Sequence, residues 1–274
     1  MIRRLSLCVI GLLVATGARA DWAINMPRGV SELSAETYDL HMMVFNWCVG
    51  IAVVVFGAMI FAIVRHRKSR GVTPAKFSHS MSAEVTWTII PIIILLIMAV
   101  PAAETMIRIE DSREPDLTVV VTGYQWKWHY TYQGENVGFY STLARSSSEA
   151  RHKGAGIDPA TVENYLLDVD KPLVVPKGAK VRVLLTSNDV IHSWWVPDLS
   201  IKKDAIPGFM NETWFQAEQT GVFRGQCAEL CGIDHAYMPV VVQVVEPDEF
   251  QAWMDAERQP PAAAATIGST SGTR

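Results

Sequence analysis

No Cys-x-x-Cys-His run occurs in the 274 residues, which excludes a c-type haem attached in the usual way. No internal repeat is present either, so repeat architectures are excluded. Cysteine is scarce: Cys8, Cys48, Cys227 and Cys231 are all there are. Charge is thin as well, at 19% against 49% hydrophobic residues, and the mean hydropathy is positive. A balance this apolar means that part of the sequence lies in membrane. Acids are missing altogether from Arg65 until Glu84, a stretch that holds Arg65, Arg67, Lys68, Arg70 and Lys76.

What is present starts with residues 1–20, which read as a secretory signal. Arg3 and Arg4 precede an apolar stretch, and Ala18-Arg19-Ala20 forms an A-x-A cleavage site. Cys8 follows Leu7 rather than a small residue, which argues against lipid attachment there. Loss of the signal removes three arginines and no acid, so the formal charge moves from −4 to −7. Such an acidic field disfavours nucleic acid and favours a basic partner.

After an exported N-terminal segment (21–39), residues 40–64 and 84–106 are long and apolar enough to cross a bilayer. The basic stretch between them, 65–83, belongs in the cytoplasm by the positive-inside rule, so both ends of the hairpin face outward, as the signal also requires. Pro91 and Pro101 within the second span point to packing against other membrane subunits. Glu84, at the start of that span, is either a carboxylate favoured by the positive end of a helix or a point of proton uptake.

From 107 to 258 the alphabet changes to short β-rich runs: 117–132, 167–175, 180–187, 212–217 and 238–245. Gly, Pro, Asn and Asp separate them, and the expectation is an antiparallel sandwich or barrel. Residues 141–164 read as an extended surface insertion without a readable role. Phe250, Trp253 and Met254 are spaced for a short amphipathic helix, and 259–274 reads as a disordered tail. Trp126, Trp128, Tyr130 and Tyr132 fall on one face of a strand, which suits an aromatic belt at the membrane surface.

Residues 227–238 pack two thiols, an imidazole and a thioether into one loop: Cys227, Cys231, His235 and Met238. A disulfide between the cysteines is one reading in an oxidising compartment. The other is copper, which soft thiolate and thioether donors select together with imidazole. A mononuclear blue-copper site needs one cysteine, so the second thiol points to two bridged ions and to a further imidazole. His192, at the end of a strand-like run, supplies it.

These residues resemble subunit II of the haem-copper cytochrome c oxidases over nearly the whole mature length. The order is hairpin, aromatic strand, His192-Ser193-Trp194, Asp204-Ala205-Ile206-Pro207-Gly208 and Cys-x-Glu-x-Cys-x-x-x-His-x-x-Met. The resemblance implies a membrane α-helical hairpin, two transmembrane helices, plus an all-β cupredoxin-like sandwich holding the dinuclear copper centre CuA. Cys227 and Cys231 would bridge the coppers, with His192 and His235 as terminal ligands and Met238 and the Glu229 carbonyl as weak ones. The Glu229 side chain would reach a magnesium ion shared with subunit I, its alternative being a solvated loop acid. Trp126 matches the first Trp of the family's Gly-His-Gln-Trp-Tyr-Trp segment and would take the electron from cytochrome c. Here Tyr124 replaces the His, and Lys127 replaces the Tyr and sets a cation near the docking face. Asp168, Asp170 and Asp189 match acids that attract basic cytochrome c, and Glu84 matches the mouth of a proton pathway into subunit I.

The resemblance further implies partners in subunits I and III and in the lipid bilayer of the cell inner membrane, with the copper domain periplasmic. Electrons would pass to the haems of subunit I for reduction of oxygen coupled to proton translocation. Two alternatives differ in kind. A copper-handling chaperone would need a thioredoxin-like fold, and a structural subunit without copper would have lost the ligands. A nitrous oxide reductase carries a similar copper motif, but on a soluble multi-domain chain.

Overall fold

The computed structural model describes residues 25–73 and 76–258. The expected signal (1–20), Cys8 and the expected tail (259–274) lie outside these residues. Two long helices come first, α1 (Glu32–Arg65) and α2 (Met81–Glu110). At 1.5 Å per residue they run about 51 and 45 Å, more than the ~30 Å hydrocarbon thickness requires. α1 starts eight residues ahead of the apolar run because Ser31 and Ser34 close a reciprocal capping box, each side-chain oxygen accepting from the other's backbone N–H at 3.0 and 2.9 Å. Pro91 and Pro101 both sit inside α2. The apolar side chains of both helices are bare along the spans, as in a hairpin that has lipid or other subunits around it.

Ten strands follow: β1 (Leu117–Tyr124), β2 (Lys127–Tyr132), β3 (Val137–Ser141), β4 (Leu173–Pro176), β5 (Lys180–Ser187), β6 (His192–Val196), β7 (Ile201–Ala205), β8 (Asn211–Gln216), β9 (Gly221–Cys227) and β10 (Pro239–Val245). They form two five-stranded sheets, in the orders β3-β2-β1-β5-β8 and β4-β10-β9-β6-β7. The sandwich is not wholly antiparallel as expected: β1 runs parallel to β5, and β4 to β10. β5 shows the period-2 logic plainly, burying Val181, Val183, Leu185 and Ser187 while the residues between them face outward. Helix α4 (Pro247–Arg258) lies where Phe250, Trp253 and Met254 predict a helix, with Met254 buried.

Three further expectations need correction. Trp126 is not on a strand with the other aromatics; it lies in the turn between β1 and β2. Trp128, Tyr130 and Tyr132 are fully buried core, so no membrane-surface belt forms from them. Their period-2 register was legible, but a strand's two faces do not say which is inside. Segment 141–164 is also more than surface: it holds α3 (Arg145–Ala150), whose Ser147 and Ala150 are buried.

Tyr132 ties the two sheets together. Its hydroxyl donates to Val174 O at 2.6 Å and accepts from Val174 N at 3.0 Å. Tyr132→Phe leaves both backbone groups of β4 without a partner in the core. The expected cost is about 1–3 kcal/mol of stability for the β-domain. An unchanged urea midpoint for that domain would show that the two groups find other partners.

The hairpin is seated on the sandwich by specific polar contacts rather than by a tether alone. Trp214 Nε1 donates to Arg108 O at 3.1 Å, Val30 N to Asp198 O at 2.9 Å and Glu218 N to Val30 O at 2.8 Å. The Arg108 guanidinium also pairs with Glu32 and Glu36, joining the end of α2 to the start of α1.

Candidate metal centre

Three strand ends build the site. β6 begins at His192, β9 ends at Cys227, and Met238 immediately precedes β10. Because β9 is antiparallel to both neighbours, all three ends fall on one edge of the second sheet. The loop between β9 and β10 carries Cys231 and a 3-10 turn, His235–Tyr237. Strand registry fixes His192 and Cys227, and the loop folds the other donors onto them.

The donors divide around the two thiols. Cys227 Sγ lies 4.0 Å from His192 Nδ1 and donates to Glu229 O at 3.3 Å. Cys231 Sγ lies 3.5 Å from His235 Nδ1 and 3.5 Å from Met238 Sδ. The sulfurs are 3.9 Å apart as free thiols, so no disulfide is present. The ligating atoms of His192, Cys227 and Cys231 all lie within 4.8 Å of one another, and all three residues are buried. All the expected donors are therefore assembled, the Glu229 carbonyl included.

The electrostatics favour one thiolate. Burial raises the Cys227 thiol, but hydrogen bonding from His192 and from the Glu229 and Ser193 backbone outweighs it, and the net direction is down. Cys231 is driven up by burial and by its charged neighbour Cys227. Asp189 accepts from His192 Nε2 at 2.9 Å, leaving Nδ1 to face Cys227. Burial opposes the charge on both partners; even so, Asp189 titrates below its usual range and His192 above its own. A carboxylate holding the far ring nitrogen is the usual way a ligating histidine is oriented.

Trp126 is brought to the same loop. Its indole Nε1 donates to Cys231 O at 3.1 Å, and Gln125 Nε2 reaches that carbonyl at 2.9 Å. Gly232 makes this approach feasible: it has φ +118°, and a Cβ there would lie 3.0 Å from the Trp126 ring. Gly123 plays the same part for His192, because a Cβ there would meet His192 Cδ2 at 2.7 Å. The sequence alone does not single out either glycine; Gly232 adjoins Cys231, and Gly123 stands three residues before Trp126.

The remaining candidates stand elsewhere or have partners already. Asp189 is committed to His192 and to the Gln125 N–H at 2.7 Å rather than standing free. Asp170 accepts from Thr142 N and Lys171 N at 2.7 and 2.8 Å, and Asp168 faces Arg224 at 3.7 Å. Glu84 lies roughly 36 Å along α2 from Arg108, and its carboxylate accepts from Ser80 N at 3.2 Å, closing the helix start.

Comparison with known proteins bears on this geometry. The family description "Cytochrome C oxidase subunit II, periplasmic domain" matches residues 117–245, and "Cytochrome C oxidase subunit II, transmembrane domain" matches 19–104. A "Cytochrome c oxidase subunit 2" of Cereibacter sphaeroides is 35% identical over 268 residues, covering 90% of this chain and 88% of that one. This chain belongs to the cytochrome c oxidase subunit II family. A "Probable cytochrome c oxidase subunit 2" of Rickettsia prowazekii is 41% identical over 235 residues, covering 85% of this chain and 72% of the relative. The solved periplasmic domain of subunit II of cytochrome oxidase (CoxB) of Bradyrhizobium japonicum is 41% identical, covers 54% of this chain and 96% of its own, and has a TM-score of 0.46.

As a subunit II, the chain is a membrane protein and part of an oxidase complex, and its family binds copper. The residues fit that metal: soft sulfur and imidazole donors converge, those of His192, Cys227 and Cys231 buried, and among the described residues the groups contacting the thiols are imidazoles, a thioether and a carbonyl.

Proposed function

We propose that this subunit II takes electrons from cytochrome c on the periplasmic face of the inner membrane and relays them through a dinuclear copper site to the haems of subunit I. One observation carries the reading. Each thiol has its own imidazole and its own weak donor, carbonyl for Cys227 and thioether for Cys231, a partition that suits two bridged ions rather than one. Cys227, Cys231, His192, His235, Met238 and the Glu229 carbonyl would hold the copper, which would supply one-electron transfer. The chain's residues supply the rest. The strand ends fix the donors, Asp189 orients His192, and burial excludes water.

Trp126 is the point of electron uptake. Its ring stands partly exposed in a turn, and its N–H is bonded to the backbone of Cys231, so one hydrogen bond connects the outer surface to a metal-binding residue. Asp168 and Asp170 contribute to attracting a basic donor, whereas Asp189 serves the site itself. Leu230 and Ile233, 80% and 87% exposed on either side of Cys231, suit burial against another oxidase subunit. The exposed Glu229 carboxylate is free to complete a magnesium site with subunit I; subunit III is the further expected partner. In the assembled oxidase, rapid mixing with reduced cytochrome c tests the whole reading. Reduction of copper ahead of haem supports it, and haem reduction with no copper step contradicts it.

Glu84 is assigned to proton uptake for subunit I, from the cytoplasmic end of α2. Glu84→Gln keeps the shape, and its amide oxygen can still accept from Ser80 N. Slower turnover with normal copper reduction is expected; full turnover would mean that the acid only caps the helix.

A further inference from the structure

Of the donors, His192 and Cys227 are held in strands, but Cys231, His235 and Met238 depend on the loop between β9 and β10. That loop has little hydrogen bonding of its own around His235: His235 N to Gly232 O at 3.3 Å and Tyr237 N to Asp234 O at 2.9 Å. A single 3-10 turn is a weak support for two ligand side chains, and at Met238 only the backbone is held further, its carbonyl accepting from Cys227 N at 3.3 Å and Trp128 Nε1 at 3.4 Å. Segment 141–164 provides what the loop lacks. Arg151, at the C-terminal end of α3, places a guanidinium nitrogen 3.3 Å from Asp234 Oδ2 and its Cζ 4.2 Å from the Tyr237 ring centroid. Asp234 precedes His235, and Tyr237 precedes Met238. One side chain thus grips the turn at both ends, by an ion pair and by a cation–π contact.

The grip has a firm base. Ser147 Oγ accepts from Leu166 N at 3.1 Å, Ala144 N donates to Asp168 O at 3.0 Å, and Leu143 bridges Val169. With Ser147 and Ala150 buried beneath it, α3 is fastened to the sandwich on one face, while its Arg145–Glu149 pair occupies the solvent side. Arg151 and Asp234 are themselves only 22% and 30% exposed, unlike a freely solvated surface pair.

We propose that Arg151 is a positioning residue of the metal centre: it clamps the turn between Asp234 and Tyr237 and so fixes His235 and Met238 relative to Cys231. This rests on the copper reading above and assigns a role to segment 141–164. Arginine suits the task where lysine does not, because a planar guanidinium can stack on a ring and point an N–H at a carboxylate together.

The test uses the full chain, copper-loaded in detergent, as wild type, Arg151→Ala and Arg151→Lys. Three quantities are read: copper release into excess chelator, the electron paramagnetic resonance hyperfine pattern, and the thermal midpoint of the metal-free β-domain. For Arg151→Ala, release about tenfold faster is expected, the lower end of what an outer partner contributes to a metal site. Its hyperfine pattern changes and its metal-free midpoint moves little, while Arg151→Lys falls between it and wild type. Release and hyperfine pattern identical to wild type would overturn the clamp, as would a lowered metal-free midpoint alone, which would make Arg151 only an anchor for α3. If Arg151→Ala does not fold, Arg151→Lys decides: faster release supports the clamp and unchanged release refutes it. A wild-type chain that binds no copper pair overturns the copper reading itself, and the clamp with it.

Discussion

Replacing Cys227 or Cys231 by serine is expected to abolish the copper pair while leaving the hairpin in the membrane. Each sulfur already has the other at 3.9 Å and an imidazole of its own within reach. A serine hydroxyl fits the space but does not ionise in the neutral range and is a poor partner for a soft metal. Loss of a bridging atom removes the link between the two ions, a larger loss than the 10–100-fold that outer partners contribute. The hairpin does not depend on it, because its insertion follows from the apolar α1 and α2. Membrane fractionation and electron paramagnetic resonance on the same sample check both halves. An intact signal from an electron shared between two coppers in either variant would refute the bridging assignment.

Trp126→Phe is expected to slow reduction by cytochrome c about tenfold or more, a rise of roughly 1.4 kcal/mol or more in the barrier. Copper content should be unchanged. The smaller phenyl ring fits in the space the indole occupies over Gly232, but the indole N–H that reaches Cys231 O at 3.1 Å is gone. Gln125 Nε2 still satisfies that carbonyl at 2.9 Å, which separates the electronic role of Trp126 from a packing role. Unchanged reduction kinetics with cytochrome c would remove Trp126 from the path.

The sequence told most where chemistry is local. Cys227, Cys231, His235 and Met238 lie in one loop, and hydropathy with the basic 65–83 stretch predicts the hairpin. β5 was legible because period-2 alternation needs only a strand with one buried face. β3, β6, β7 and β9 fall outside the runs the sequence predicts as strands. β3, β6 and β7 are five residues each, and β9 contains Gly221 and Gly225, which obscure its pattern. The sequence predicts Trp126 on a continuous strand because nothing in Tyr124-Gln125-Trp126-Lys127 carries a strong turn signal.

Long-range partners were beyond the sequence for a different reason. Asp189, three residues from His192, reads as a surface acid until folding also brings Gln125 N, 64 positions away, within 2.7 Å of its carboxylate. Arg151 lies 83 positions from Asp234, in a segment whose polar composition suggests only surface. Gly123 counts for the His192 ring beside it, a contact between β1 of one sheet and β6 of the other. The contacts of Asp189 with Gln125, of Arg151 with Asp234 and of Gly123 with His192 depend on how segments distant in sequence are brought together, which local pattern does not encode.

The most direct test of the central claim is copper content together with electron paramagnetic resonance on the full-length chain in detergent. Two coppers per chain, with one unpaired electron spread equally over both, is the expected result. A single copper with its electron localised, or a chain that takes up none, would contradict it.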